Sequence, residues 1–199
     1  MPSGPIVKLS RVAIACLVLL TSAAAASAQT YVFQLDPHQS RVAFTLEDVL
    51  HTVHGTFQLK TGTLQFDVST GTASGLLVVD ATSGDSGSKA RDRKMHRDIL
   101  ESQQYPEITF APHHVSGQVP QDGKAQVILA GVMTLHGQPH ELSITVPVEV
   151  HPGQVAADMH FIVPYVQWGL KNPSTFILRV SDKVAIDVHA VGPIAPAVR

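Results

Sequence analysis

Eleven histidines stand in this chain of 199 residues, enough to raise the question of a metal centre. Histidine is the commonest protein metal ligand, and zinc needs three or four ligands meeting at one point. The candidates are His51, His54, His96, His113, His114, His136 and His140. On an extended strand His51 and His54 would point to opposite faces; they converge only if His51 sits in a turn. His136 and His140 bracket Gly137-Gln138-Pro139 and could meet across it, with Glu141 the one acid close in sequence. A metal-dependent hydrolase is the chemistry such a cluster would serve. Histidines that hydrogen-bond the backbone or line a polar mouth are the competing account, and the expectation is no metal, no cofactor and no catalytic residue.

Other reactive patterns are weaker. There is no G-x-S-x-G elbow, no phosphate loop and no dinucleotide fingerprint. Ser83-Gly84-Asp85-Ser86-Gly87-Ser88 precedes a helical stretch and could receive an anion at its start, or act simply as a flexible connection. Arg91, Arg93, Lys94 and Arg97 read mainly as a solvated face, tempered by Asp92 and Asp98. Arg91 and Arg97 are nonetheless the candidates to pair with a phosphate head group. Tyr165 and Trp168 are candidate head-group contacts too, with packing at the end of the fold as their other reading.

The elements that must position these residues are strands. Val42, Phe44 and Leu46 alternate with Arg41, Thr45 and Glu47; Leu64, Phe66 and Val68 do the same. Leu142 to Val150, Val155 to Val163 and Val184 to Val188 repeat the pattern. Period-two alternation gives one apolar and one polar face, the mark of antiparallel sheet. Turn pairs such as Asp122-Gly123, His136-Gly137 and Pro152-Gly153 recur at short spacing. A meander of about nine or ten strands follows, closing as a barrel or a sandwich. One segment departs from alternation. Met95 and Ile99 share a side, with Leu100 beside them, so a short amphipathic helix is predicted over Lys89 to Ser102. Ser86 or Ser88 could cap it, and Pro106 stops it. The stretch from Pro164 to Thr175 reads as a structured loop.

Composition bounds the rest. The chain is 44% hydrophobic and 15% charged, with a formal charge of -2, which excludes a disordered chain and gives no basic face for nucleic acid. Lys8 and Arg11 precede the apolar run Val12 to Leu20, and small residues follow up to Ala26-Ser27-Ala28. That is the plan of a secretory leader, cut after Ala28; the apolar run is short for a membrane span. A lipidated Cys16 competes, but only Val12 to Ala15 separate it from Arg11. The expected organisation is a leader over 1–28 and one domain over 29–199. The mature chain, periplasmic or secreted, has no cysteine and is not expected to insert stably in a membrane. A homodimer is compatible with the composition but not specified by it.

The order of several segments resembles the YceI-like family of secreted bacterial proteins, described as polyisoprenoid-binding. They begin with Tyr31 and Asp36-Pro37-His38-Gln39-Ser40-Arg41-Val42-Ala43-Phe44. Val53-His54-Gly55-Thr56-Phe57 with Gly62, Arg91-Asp92 and Tyr105-Pro106-Glu107-Ile108-Thr109-Phe110 follow. Gly131-Val132-Met133-Thr134-Leu135 with Gly137, and Val180-Ser181-Asp182-Lys183-Val184, complete the series. The similarity runs from Tyr31 to about Val191. Lys94-Met95 stands where the family usually has His-Leu, and the loop around Trp168-Gly169 is richer than usual. The resemblance implies a single antiparallel, lipocalin-like β-barrel whose apolar interior holds an isoprenoid chain of a polyprenyl phosphate or a quinone.

By parity Phe44, Phe57, Phe66, Ile144 and Phe161 face that interior and should line the cavity. Burying each methylene of a ligand yields roughly 0.8 kcal/mol, so a long chain binds without a catalytic group. The remaining alternative is an interior filled by the same side chains, with loops that bind a partner.

Overall fold

The computed structural model describes residues 29–48, 52–175 and 179–197. The leader over 1–28, Cys16 and His51 lie outside them. Among the described residues nine strands form one antiparallel sheet. They are β1 (Thr30–Gln34), β2 (Arg41–Glu47), β3 (Thr52–Asp67), β4 (Ala73–Asp85), β5 (Glu107–Ser116), β6 (Gly123–Leu135), β7 (Gln138–His151), β8 (Gln154–Val163) and β9 (Val184–Pro196). A helix, α1 (Lys89–Lys94), stands between β4 and β5 and runs into a π-helical turn, Met95–Ile99.

The sheet closes through β3–β4 pairing into an eight-position barrel, because β1 and β2 share one position. β2 pairs with the first halves of β3 and β9, and β1 with their second halves. Between them the chain kinks through Leu35–Ser40 and is held there. Leu35 N–H donates to Gly62 O at 2.8 Å and Asp36 N–H to Val191 O at 2.8 Å. Gly192 permits this close approach: a Cβ there would lie 2.0 Å from Gln34 O.

Alternation places the side chains as expected, with one change of phase. β3 turns Val53, Gly55, Phe57 and Leu59 inward, then Gly62, Leu64 and Phe66; its register against β4 shifts between Leu59 and Thr61. A bulge of this kind exchanges odd for even positions and tightens the barrel's curvature. The β6–β7 hairpin turns at His136 and Gly137, both with positive φ (53° and 72°). Two such residues make the type I′ turn that matches strand twist. β7 and β8 pair only from Val148↔Ala157 to His151↔Gln154.

The interior packs in three clusters along the barrel. Phe33, Leu35, Val150, Val155 and Ala190 fill the end where β3 meets β4, here the far end. Val127, Leu129, Ile144 and Val146 occupy the middle. Leu135, Val163, Tyr165 and Leu170 form the near end, beneath the helix. The helical segment differs from expectation in form. Its α-helical part ends at Lys94, and Leu100 N–H then bonds Met95 O at 2.8 Å, an i→i+5 turn. Ser88 is the N-cap but makes no side-chain cap bond. Among the described residues no helix is long and apolar enough to cross a bilayer.

Candidate ligand-binding site

The near end encloses a cavity of about 360 Å³. β2 and β3 supply one wall through Phe44, Leu46, Val53 and Phe57; Ile108, Met133 and Val163 continue it. Met95, Ile99 and Leu100 of the π-helical turn and Tyr165 and Leu170 of the 164–175 loop form the roof. The shared apolar side read in Met95, Ile99 and Leu100 therefore faces the cavity. Phe44 and Phe57 pack with ring centroids 5.4 Å apart. Two glycines make room for them, Gly55 within the Val53-to-Phe57 segment and Gly84 within the serine- and glycine-rich stretch, a role that the sequence reading did not assign to either. A Cβ at Gly55 would come within 2.3 Å of the Phe44 ring, and one at Gly84 within 2.6 Å of the Phe57 ring. A glycine inside an alternating strand is the signal that marks such a site.

The mouth is polar and carries Asp48, Ser86, Arg91 and Lys94. Arg91 is held by Ser86: Nε donates to Ser86 Oγ at 2.8 Å and a terminal nitrogen to Ser86 O at 2.9 Å. Asp92 accepts from Ser86 N–H at 2.9 Å and from its hydroxyl. Burial pushes the Asp92 carboxyl up, but these hydrogen bonds together outweigh it and hold it below the usual aspartate range. Lys94 Nζ donates to Pro173 O at 3.1 Å, tying α1 to the loop. The serine- and glycine-rich stretch is thus no loose connection; it ends β4 and clasps the helix.

The other head-group candidates stand in different places. Tyr165 lines the cavity and is buried, its hydroxyl donating to Ser181 O at 2.7 Å. Burial and nearby Asp182 push its pKa up to about 12, so the phenol stays neutral. Trp168 stacks on His140 at 4.0 Å and packs behind the near-end cluster. Arg97, with 77% of its side chain exposed, forks onto Asp98 through bonds of 2.6 and 2.8 Å, away from the cavity.

Of the five residues picked by parity, Phe44 and Phe57 line this cavity. Phe66 lines a second, smaller one at the far end, of about 90 Å³. Ile144 belongs to the packed middle, and Phe161 packs against both the middle and the near-end clusters.

The histidines disperse. Among the described residues no group of three or more His, Cys, Asp or Glu is placed to hold a metal. His136 lies 3.2 Å from Glu101, while His140, its expected companion, turns to Trp168. His113 pairs with Glu141 at 3.3 Å and His54 with Thr45 at 3.1 Å. On the outer wall His160–Asp187 and His189–Asp158 form facing cross-strand pairs, each at 2.7 Å. His96 binds Gly84 O at 2.9 Å and Ser102 at 3.1 Å, fastening the π-helical turn to β4.

Solved structures share the fold. BcnA of Burkholderia cenocepacia has a TM-score of 0.65 at 19% identity, over 79% of this chain and 99% of its own. A polyisoprenoid binding domain from Saccharophagus degradans, implicated in plant cell wall breakdown, gives 0.62 at 15% identity, over 82% and 98%. The YceI protein of Campylobacter jejuni gives 0.58 at 12%, over 75% and 88%. No curated protein matches the sequence. The YceI-like domain matches residues 33–192, from the end of β1 into β9, and the chain belongs to that family.

Proposed function

We propose that the protein is a lipid carrier that holds the isoprenoid chain of a polyprenyl phosphate or an isoprenoid quinone in the near-end cavity. The observation that carries this reading is that cavity, apolar along its walls and roof and polar only at a mouth bearing Arg91 and Lys94. Apolar walls gain free energy from every methylene they remove from water. A head group at the mouth meets a preset arginine, and a phosphate gains more from it than a neutral ring does. The Saccharophagus degradans structure, a polyisoprenoid binding domain of the same fold, agrees with this.

The role is binding rather than catalysis. The hydrolase alternative lacks a ligand cluster among the described residues. The leader over 1–28 directs the carrier to the periplasm or the medium, where its mature chain begins at Gln29. The test is mass spectrometry of the organic extract of purified protein. A co-purifying prenyl lipid is the expected result; stoichiometric metal without lipid would overturn it. Arg91→Ala should weaken binding of a prenyl phosphate and leave a quinone nearly unchanged, at two salt concentrations since exposed charges are screened within about 8 Å.

A further inference from the structure

We infer that a prenyl chain enters and leaves the barrel sideways, through a seam between β7 and β8, instead of threading lengthwise past the near-end mouth. The inference rests on the isoprenoid reading above. The β7–β8 ladder ends at Val148↔Ala157, although β7 runs back to Gln138 and β8 on to Val163. Pro147 explains the stop. Bonded and non-bonded pairs alternate along an antiparallel ladder, and the two-residue turn Pro152-Gly153 makes His151↔Gln154 a bonded pair. Glu149↔Ala156 is the next bonded pair. Pro147↔Asp158 would follow, but proline has no N–H to donate. Beyond it, among the described residues, β7 is laddered to β6 alone and β8 to β9 alone.

A trough of about 400 Å³ lies over this seam on the outer wall, with Thr145 and Pro147 on the β7 side and Asp158 and His160 on the β8 side. Met159 lines both the trough and the far cavity, and it packs against the far-end and middle clusters. One unbranched, adaptable side chain thus borders the outside and the interior at once. Toward the near end the seam is bridged by rings. His140 of β7 stacks on Trp168 of the loop that follows β8, with centroids 4.0 Å apart and planes within 3°. Parting the strands here breaks no ladder bond. Lifting the roof breaks the bonds from Arg91 to Ser86, from Lys94 to Pro173 and from Tyr165 to Ser181. Sideways passage also keeps the head group in water at the mouth while the chain moves from a bilayer into the barrel. The apolar chain then crosses no open water, which a tail-first passage through the mouth requires.

Locking the seam tests this. The β7–β8 register, continued past Pro147, sets Thr145 opposite His160, and both are exposed. In a Cys16→Ser background, Thr145→Cys with His160→Cys is loaded with octaprenyl phosphate and then joined by a short, reducible bis-maleimide. Mass spectrometry follows transfer of the lipid to phosphatidylcholine vesicles. Release should slow by about tenfold or more, as for a closed lid, and recover when the linker is reduced. Thr145→Cys with Ile128→Cys carries the same linker between residues already opposed in the β6–β7 ladder, and should release at the wild-type rate. Trp168→Ala needs no linker; it removes the ring bridge and should speed release severalfold. Release that the seam lock does not slow, equal slowing by the control linker, or a rate unmoved by Trp168→Ala overturns the seam while leaving the carrier function standing. Failure of wild type to take up octaprenyl phosphate from vesicles overturns both.

Discussion

At the far end of the barrel Phe33, Leu35, Val150, Val155 and Ala190 close on one another and leave about 90 Å³. At the near end the same long strands enclose about 360 Å³. The strands do not account for the difference; their connections do. The far end is shut by short turns such as Pro152-Gly153 and by β1 lying in line with β2. The near end is spanned by two long connections, the helical segment and the 164–175 loop. Each is held at its edges, by the Ser86 clasp, by Lys94 to Pro173 and by Tyr165 to Ser181. A roof fixed at its edges can stand off from the barrel, whereas a two-residue turn cannot. One barrel thereby joins a stabilising end to a binding end.

The largest effect should come from cutting into each end in turn. Phe33→Ala, in the packed end, should cost about 3–5 kcal/mol in denaturant unfolding. Phe57→Ala should cost clearly less, since its ring already faces open space. Equal losses would erase the distinction between the ends.

Filling tests the same contrast from the other side. Ile144→Trp overpacks the middle layer and should destabilise by about 1–3 kcal/mol. Leu46→Trp should be accommodated by the near cavity, keep the melting temperature close to wild type and displace lipid. If Leu46→Trp unfolds the protein as readily as Ile144→Trp does, the near end is not a cavity in solution.

The clasp at the mouth comes next. Ser86→Ala removes the hydroxyl that joins Arg91 to Asp92, and should cost about 1–2 kcal/mol, with weaker binding of a prenyl phosphate. Acid should loosen the same clasp. The Asp92 carboxyl is held below its ordinary value, so its contribution is present above the ordinary aspartate pKa and is lost as pH falls through the lowered one. The Ser86 amide resonance, followed by NMR during acid titration, should shift across that lower range. A midpoint at or above the ordinary aspartate value would contradict the clasp.

The smallest effect is expected at Arg97. Its ion pair with Asp98 is exposed, and Arg97→Ala should alter stability by no more than about 0.5 kcal/mol and leave binding as it is. Loss of prenyl phosphate binding would place the head group over the helix's outer face instead of at the mouth.

Local chemistry determined much of this in advance. Period-two alternation specifies antiparallel sheet, closing as a barrel or a sandwich, because side chains leave a strand on opposite faces; the family resemblance implied the barrel. The side shared by Met95, Ile99 and Leu100 is legible because helical geometry brings such residues together. Tertiary structure decided the rest. Parity says that Phe44, Phe66, Ile144 and Phe161 point inward, but not at which height. Only closure and the standing-off roof separate cavity wall from packed layer. The π-helical turn depends on where His96 is fastened to Gly84 and Ser102, contacts that no helical periodicity encodes. The histidines make the same point. Their acidic partners, Glu101 for His136 and Asp187 for His160 among them, arrive from other elements. Sequence spacing around these two histidines therefore carries no trace of their partners, because such pairing is settled by tertiary placement rather than by neighbourhood along the chain.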